Sequence, residues 1–210
     1  MGLSQAEFEV ISVFEGTELP DCLRYKAVLI TGSSAMVTDH TDWIENTAAW
    51  LRQAVEQQLP VLGICFGHQL LAYALGGQVA DNPNGVEVGS VEAKRCLDAA
   101  GDVFLDGSGK LWVQASHRQC VTRLPEAAVC LLTTDMDKHH AFRFRDHVWG
   151  FQFHPEFNVE ITRQYIHYYA DDLHSSDRDE QHLSSECRQT PEAHSCLRSF
   201  SVFIQDRAKK

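Results

Sequence analysis

Val61-Leu62-Gly63-Ile64-Cys65-Phe66-Gly67-His68-Gln69 is the stretch whose reading decides the fold. The apolar run Val61 to Ile64 follows Pro60, is too short for a helix, and suits a buried strand. Directly after Cys65 the periodicity turns helical, with Leu70, Leu71, Ala74 and Leu75 on one face and Gly76-Gly77 as the stop. A strand that turns at once into a helix, with glycines flanking a central cysteine, is the thiol form of the G-x-S-x-G nucleophile elbow. The sharp turn forces Cys65 into a strained backbone conformation, for which Gly63 and Gly67 leave room. The helix N-terminus then faces the sulfur, and its dipole and free N–H groups favour thiolate over thiol. The N–H of Phe66 points to where an oxyanion develops. Taken alone, the same letters also describe a core cysteine between two glycines; the strand-turn-helix context is what favours the elbow.

Outward from the elbow, short apolar runs alternate with helical stretches, the pattern of an α/β fold with a largely parallel sheet. Phe8 to Phe14 reads as a strand and Lys26 to Thr31 as a fully buried one. Asp42 looks like an N-cap with Glu45 completing a capping box, and Trp43, Thr47, Ala48, Leu51, Ala54 and Val55 recur at helical spacing. Residues 86–153 read as mainly β. Strands are expected near Val88–Cys96, Leu111–Ala115, Ala128–Thr134, Ala141–Arg145 and Val148–Phe153, the last two joined tightly through Arg145-Asp146-His147. A helix is expected over Val159–Leu173, a polar loop over 174–190, and an amphipathic helix over 191–207 that docks Leu197, Phe200, Phe203 and Ile204 on the body. The whole, 1–210, reads as a single domain with its core in 8–173.

Composition narrows the function classes. A formal charge of −11 without a basic cluster beyond the terminal lysines disfavours nucleic acid as a partner. No apolar run is of membrane-spanning length and no leader precedes the first strand, which points to the cytoplasm. The seven cysteines contain no Cys-x-x-Cys pair, so no metal site and no redox dithiol is indicated, and most read as small buried hydrophobes. No phosphate-binding loop or other cofactor signature is present.

A cysteine nucleophile needs a base, and the base an orienting acceptor. Among eleven histidines, His154 stands out in Phe151-Gln152-Phe153-His154-Pro155-Glu156, at the end of an apolar strand, where α/β sheets carry their sites. In an extended segment Glu156 leaves the same face two residues on and can fix the imidazole tautomer. His68 is nearer in sequence, but its place on the helix points it elsewhere, so it ranks second.

The elbow Gly63-Ile64-Cys65-Phe66-Gly67-His68-Gln69, followed much later by His154-Pro155-Glu156, resembles the class I glutamine amidotransferases, including the amidotransferase domain of GMP synthase. The resemblance covers roughly residues 8–170. It implies a flavodoxin-like three-layer fold with an added β-hairpin near the C-terminal triad residues. It also implies that Cys65 attacks a glutamine side-chain amide to form a glutamyl thioester and ammonia, with His154 as base then acid and Glu156 as orienter. By the same resemblance, Gly32 and Ser33 belong to an oxyanion loop, with the Ser33 N–H as second donor beside Phe66. Gln69, Ser116 and His117 then line the substrate. No metal or cofactor is implied. The implied ligand is glutamine or another γ-glutamyl compound, and the implied setting is a separate synthase subunit, a free-standing γ-glutamyl peptidase, or a homodimer. A catalytically silent binding member of the fold is the reading from another class. Two departures go with the resemblance: Ser33-Ser34 stands where the family's loop carries Gly-Gly-Pro, and the strand and helix expected ahead of Phe8 have only seven residues in which to fit.

Overall fold

The computed structural model describes residues 8–107, 109–207 and 209. Its strands are β1 (Val28–Ile30), β2 (Val61–Ile64), β3 (Gln78–Asp81), β4 (Glu87–Arg95), β5 (Lys110–His117), β6 (Gln119–Arg123), β7 (Ala128–Thr133), β8 (Ala141–Phe144) and β9 (Val148–Phe151). Its helices are α1 (Asp42–Glu56), α2 (Phe66–Ala74), α3 (Val159–Tyr168), α4 (Ala170–Ser175), α5 (Glu180–Ser185) and α6 (Pro191–Arg207).

Seven strands form one sheet in the order β1-β2-β9-β8-β7-β4-β5, and β3 with β6 makes a separate two-stranded ribbon. The pairs β1–β2 and β2–β9 are parallel, and the four pairs beyond β9 are antiparallel. Because β8 and β4 are the reversed strands, five of the seven still run in one direction. The elbow therefore sits in the parallel half, at the carboxyl edge of β2.

Alternation along two adjacent strands builds the three layers. On β9, Trp149 and Phe151 face one side with Leu62 and Ile64 of β2, and α6 covers them with Ala193, Cys196 and Phe200. Val148 and Val61 face the other side, where α1 places Ile44, Ala48, Leu51 and Val55 and α2 places Phe66, Leu70 and Leu71. Each of these fully buried apolar side chains contributes roughly 1.5–3 kcal/mol over leaving it in water. A smaller cluster joins α3, α4 and α5 to β4 through Ile166, Leu173, Leu183, Val86 and Val88. Among the described residues, no helix is long and apolar enough to cross a membrane.

Several expectations are corrected. Phe8–Phe14 is not a strand: it is irregular up to a 3-10 turn at Val13–Glu15, and Phe8, Val10 and Phe14 are exposed. Among the described residues β1 is hydrogen-bonded to β2 alone and ends the sheet, so the segment has no neighbouring strand to pair with. Residues 1–7, where the shortened start falls, lie outside the described residues. Thr41 rather than Asp42 is the N-cap of α1, and Glu45 bonds Tyr73 Oη at 2.8 Å and His40 Nδ1 at 2.8 Å instead of closing a capping box. The helix expected over Val159–Leu173 breaks at Tyr169 into α3 and α4. The polar loop over 174–190 contains the end of α4 and all of α5, which Asp179 caps by accepting from the N–H groups of Gln181 and His182. Leu183 and Cys187 then dock that polar helix on the body. The ribbon β3–β6 is missing from the sequence reading because both strands are short and largely polar.

Candidate active site

Cys65 joins β2 to α2 with φ 51° and ψ −107°. A non-glycine residue there stores on the order of 1–3 kcal/mol, and the surroundings hold it in place. Its N–H donates to the Phe151 carbonyl at 2.8 Å, and its carbonyl accepts from the Gln69 N–H at 3.1 Å. A β-carbon on Gly63 would stand 2.3 Å from the Gly67 carbonyl oxygen, and one on Gly67 2.4 Å from that of Ile30. Both elbow glycines are thus demanded by close backbone approach, not by a positive φ.

His154 follows β9 directly, and its N–H donates to the Gln114 carbonyl at 2.8 Å, which ties the segment to β5. Its Nδ1 lies 2.6 Å from Glu156 Oε1, which assigns the Nδ1 proton and leaves Nε2 for the sulfur. Phe157 stacks on the ring with centroids 3.9 Å apart and 12° between the planes. Gly32 borders the pair: a β-carbon there would be 3.2 Å from His154 Cε1 and 3.7 Å from Cys65 Cβ.

The electrostatics favour an ion pair. Burial alone pushes the Cys65 thiol up; the hydrogen bond and charge of His154, the charge of His117 and the Phe66 N–H outweigh it and hold the pKa below the ordinary thiol value. Burial pushes the His154 imidazolium down, but the bonds to Cys65 and Glu156 raise it to about 10. As a thiol, Cys65 instead aims its S–H at the Ser116 carbonyl, 3.6 Å away. Burial drives His68 down to about 3, so it is neutral and packs against Phe142.

The sequence-expected residues divide into two groups. Cys65, Phe66, His154, Glu156, Gly32 and the Ser116 carbonyl converge. Ser33 stands in the neighbouring loop, its Oγ accepting from the Ala35 N–H at 3.1 Å, and none of residues 31–34 has positive φ. Gln69 and His117 turn inward. The Gln69 amide donates to the Gln119 carbonyl at 2.8 Å and to Gln152 Oε1 at 3.0 Å, and His117 Nε2 meets Glu87 Oε2 at 2.8 Å. Three participants escaped the sequence reading. Phe157 was visible as the aromatic after His154-Pro155-Glu156. Tyr169, whose hydroxyl bonds Ser116, hides in a run of helix tyrosines. Glu87 faces His117 only through the β4–β5 register.

The ion pair gives a reactivity prediction. Iodoacetamide at pH 7 modifies Cys65 roughly tenfold or more faster than any other cysteine, because rate follows thiolate fraction. Burial pushes Cys120 and Cys196 up to about 12, so they stay neutral at that pH. The sign with pH is fixed by the shifts. Reactivity falls as acid protonates a thiolate of lowered pKa, and His154 loses its proton only as pH rises through about 10. His154→Ala moves the thiol back up and slows the labelling. Equal labelling of several cysteines, read by peptide mass spectrometry, contradicts the ion pair.

Comparison with known proteins agrees with this geometry. The chain is 30% identical over 165–166 residues to two γ-glutamyl peptidases of Arabidopsis thaliana, numbers 5 and 2, covering 76% of this chain and 66% of each relative. It is 37% identical over 141 residues to the glutamine-hydrolysing GMP synthase of Clostridium novyi, covering 65% of this chain and 25% of that one. The chain therefore spans just under two thirds of the peptidases' length and a quarter of the synthase's. In fold it is similar to the crystal structure of a glutamine amidotransferase from Methylobacillus flagellatus, with a TM-score of 0.75 at 24% identity over 96% of this chain and 84% of that one. The family model for class-I glutamine amidotransferases matches residues 4–172, and the chain belongs to that family.

Proposed function

We propose that this chain hydrolyses the amide bond of a γ-glutamyl compound, glutamine first among them, through a thioester on Cys65. The observation that carries the reading is the pairing of a strained, helix-capping Cys65 with His154, itself held by Glu156 at 2.6 Å. The thiolate attacks the side-chain carbonyl carbon, and the oxygen takes the negative charge beside the N–H groups of Phe66 and Ser33. The His154 imidazolium gives its proton to the departing nitrogen, the C–N bond breaks, and ammonia leaves a glutamyl thioester. His154, now neutral, takes a proton from water as the oxygen attacks the thioester. Collapse of that adduct breaks the C–S bond, frees glutamate and restores the ion pair.

The γ-glutamyl peptidase likeness favours a second reading in which the leaving nitrogen belongs to a peptide rather than to ammonia. Both reactions use the same atoms at the carbonyl, and the leaving-group side of the pocket decides between them. With glutamine as substrate, the likeness to GMP synthase supports a separate synthase subunit as acceptor of the ammonia. Residues 8–207 act as one domain in either case.

Glutamate release from glutamine and from glutathione, measured in parallel on the purified chain, separates the readings. Release from glutamine alone supports the amidotransferase reading, and release from glutathione the peptidase. Silence on both from a folded chain that still alkylates selectively at Cys65 counts against both substrates. Glu156→Gln keeps the shape but weakens the hold on Nδ1, so kcat falls roughly 10- to 100-fold, less than for His154→Ala. A loss equal to that of His154→Ala would give Glu156 a larger part than orientation.

A further inference from the structure

Beneath the elbow, β4, β5 and the β7–β8 connection bring four buried side chains to one point. Glu87 and His117 are direct partners in the β4–β5 register, and residues 134–140 fold over them to add Asp137 and His140. All four are no more than 2% exposed. One ligating atom from each lies within 4.8 Å of the others. The individual separations are 2.8 Å for His117 Nε2 to Glu87 Oε2, 3.5 Å for His140 Nδ1 to Glu87 Oε2, and 3.3 Å for His140 Nδ1 to Asp137 Oδ2.

The lone pairs converge without satisfying one another. His140 Nδ1 and Nε2 and Asp137 Oδ2 have no aligned hydrogen-bond partner although they are fully buried, so the 3.3 Å approach is not a hydrogen bond. An unpartnered polar group at that depth costs roughly 1–3 kcal/mol. The outer atoms, by contrast, are all held. His117 Nδ1 donates to the Gln119 carbonyl at 2.9 Å, which leaves Nε2 as the inward atom. Asp137 Oδ1 accepts from the His139 N–H at 2.9 Å, which leaves Oδ2 inward. The Thr134 hydroxyl bonds Glu87. Imidazoles and carboxylates fixed from behind, with free atoms aimed at one centre, form the outer-shell arrangement of a metal site.

We propose that Glu87, His117, Asp137 and His140 bind one divalent cation of the zinc class in a closed, four-ligand structural site. Two neutral imidazoles and two carboxylates carry a charge of −2, which such an ion neutralises. Nitrogen and carboxylate donors at zinc distances of about 2.0–2.2 Å stand roughly 3.3–3.5 Å apart on a tetrahedron. Two of the three separations match, and the Glu87–His117 contact has to open by about half an ångström. The four ligands come from three separate stretches of chain, which is why no ligand spacing was legible in the sequence. Bound there, the ion pins the end of β5, which carries the Ser116 carbonyl beside Cys65, to the β7–β8 connection. The site stands whether or not the chain hydrolyses γ-glutamyl amides.

The test is titration of the chelator-treated full chain, its cysteines alkylated, with cobalt(II) and separately with zinc. The expected result is one equivalent bound, visible d–d bands of tetrahedral intensity without a thiolate charge-transfer band, and a Tm raised by about 5–10 °C at a hundredfold excess over Kd. His140→Gln and Asp137→Asn each lose the spectrum and the Tm shift. Binding that survives both substitutions, or a wild-type chain that takes up no cation, overturns the site. A thiolate band in the unalkylated chain that vanishes on alkylation together with all binding does the same, by placing the ion on cysteines. Should both variants fail to fold by circular dichroism, the alkylated wild type still decides between these outcomes.

Discussion

Cys65→Ala is expected to abolish glutamate release from every γ-glutamyl substrate, a loss of at least about 10⁴-fold in kcat, while the chain stays folded. No other group near the carbonyl replaces a thiolate: His68 is a neutral, buried ring at the wrong face of α2, and Ser116 offers its carbonyl to the site. When members of a nucleophile–base unit act together, losing the nucleophile removes nearly all of their joint effect. The fold has little to lose, because alanine keeps the β-carbon at φ 51° and forfeits only a weak S–H contact of 3.6 Å. A Tm within about 4 °C of wild type follows. A second readout comes from His154, whose pKa of about 10 is raised by Cys65 as well as Glu156, so removing the sulfur lowers it. Imidazole titration by NMR measures that fall. Persistent activity in the folded variant moves the nucleophile elsewhere and removes the mechanism.

The parts of this molecule that were legible in the sequence are those where one short stretch contains both the signal and its context. Val61 to Gln69 carries strand, turn and helix together, and His154-Pro155-Glu156 carries base and orienter within three residues, so both could be read locally. The helix over 191–207 was legible for the same reason, since Cys196, Phe200 and Phe203 mark one face within a single run. What stayed hidden depends on partners far along the chain. Phe8–Phe14 has strand-like residues but no neighbouring strand among the described residues, and β propensity without a ladder does not make a strand. Residues 174–190 are polar, yet Asp179 supplies a cap and Leu183 a single anchor, enough for a docked helical turn. Gln69 and His117 match positions that line the substrate, but their side chains are recruited inward by Gln119, Gln152 and Glu87. A local motif locates such residues without saying which way they turn.

Gly67→Ala is the second large effect, and it tests the elbow without touching any reacting atom. The added β-carbon would lie 2.4 Å from the Ile30 carbonyl oxygen and 2.8 Å from Ile30 Cβ. These atoms belong to β1, and a backbone oxygen has no rotamer into which to retreat, so the N-terminal turn of α2 has to shift by several tenths of an ångström or more. Overpacking of this kind costs about 3 kcal/mol, a fall of roughly 6–12 °C in Tm for a chain of this size. Activity falls further than stability. The same turn presents the Phe66 N–H and fixes Cys65 against His154, and displacements near 1 Å in such constellations cost on the order of 100-fold. Gly85→Ala is the control: its φ of +84° makes alanine strained, but nothing lies within 4 Å of the new carbon. That variant should lose about 1–2 kcal/mol from left-handed strain and keep the wild-type kcat. If Gly67→Ala behaves like Gly85→Ala in both thermal melting and glutamate release, helix α2 does not press on β1 as closely as described, and the geometric basis for a preorganised Cys65 fails with it.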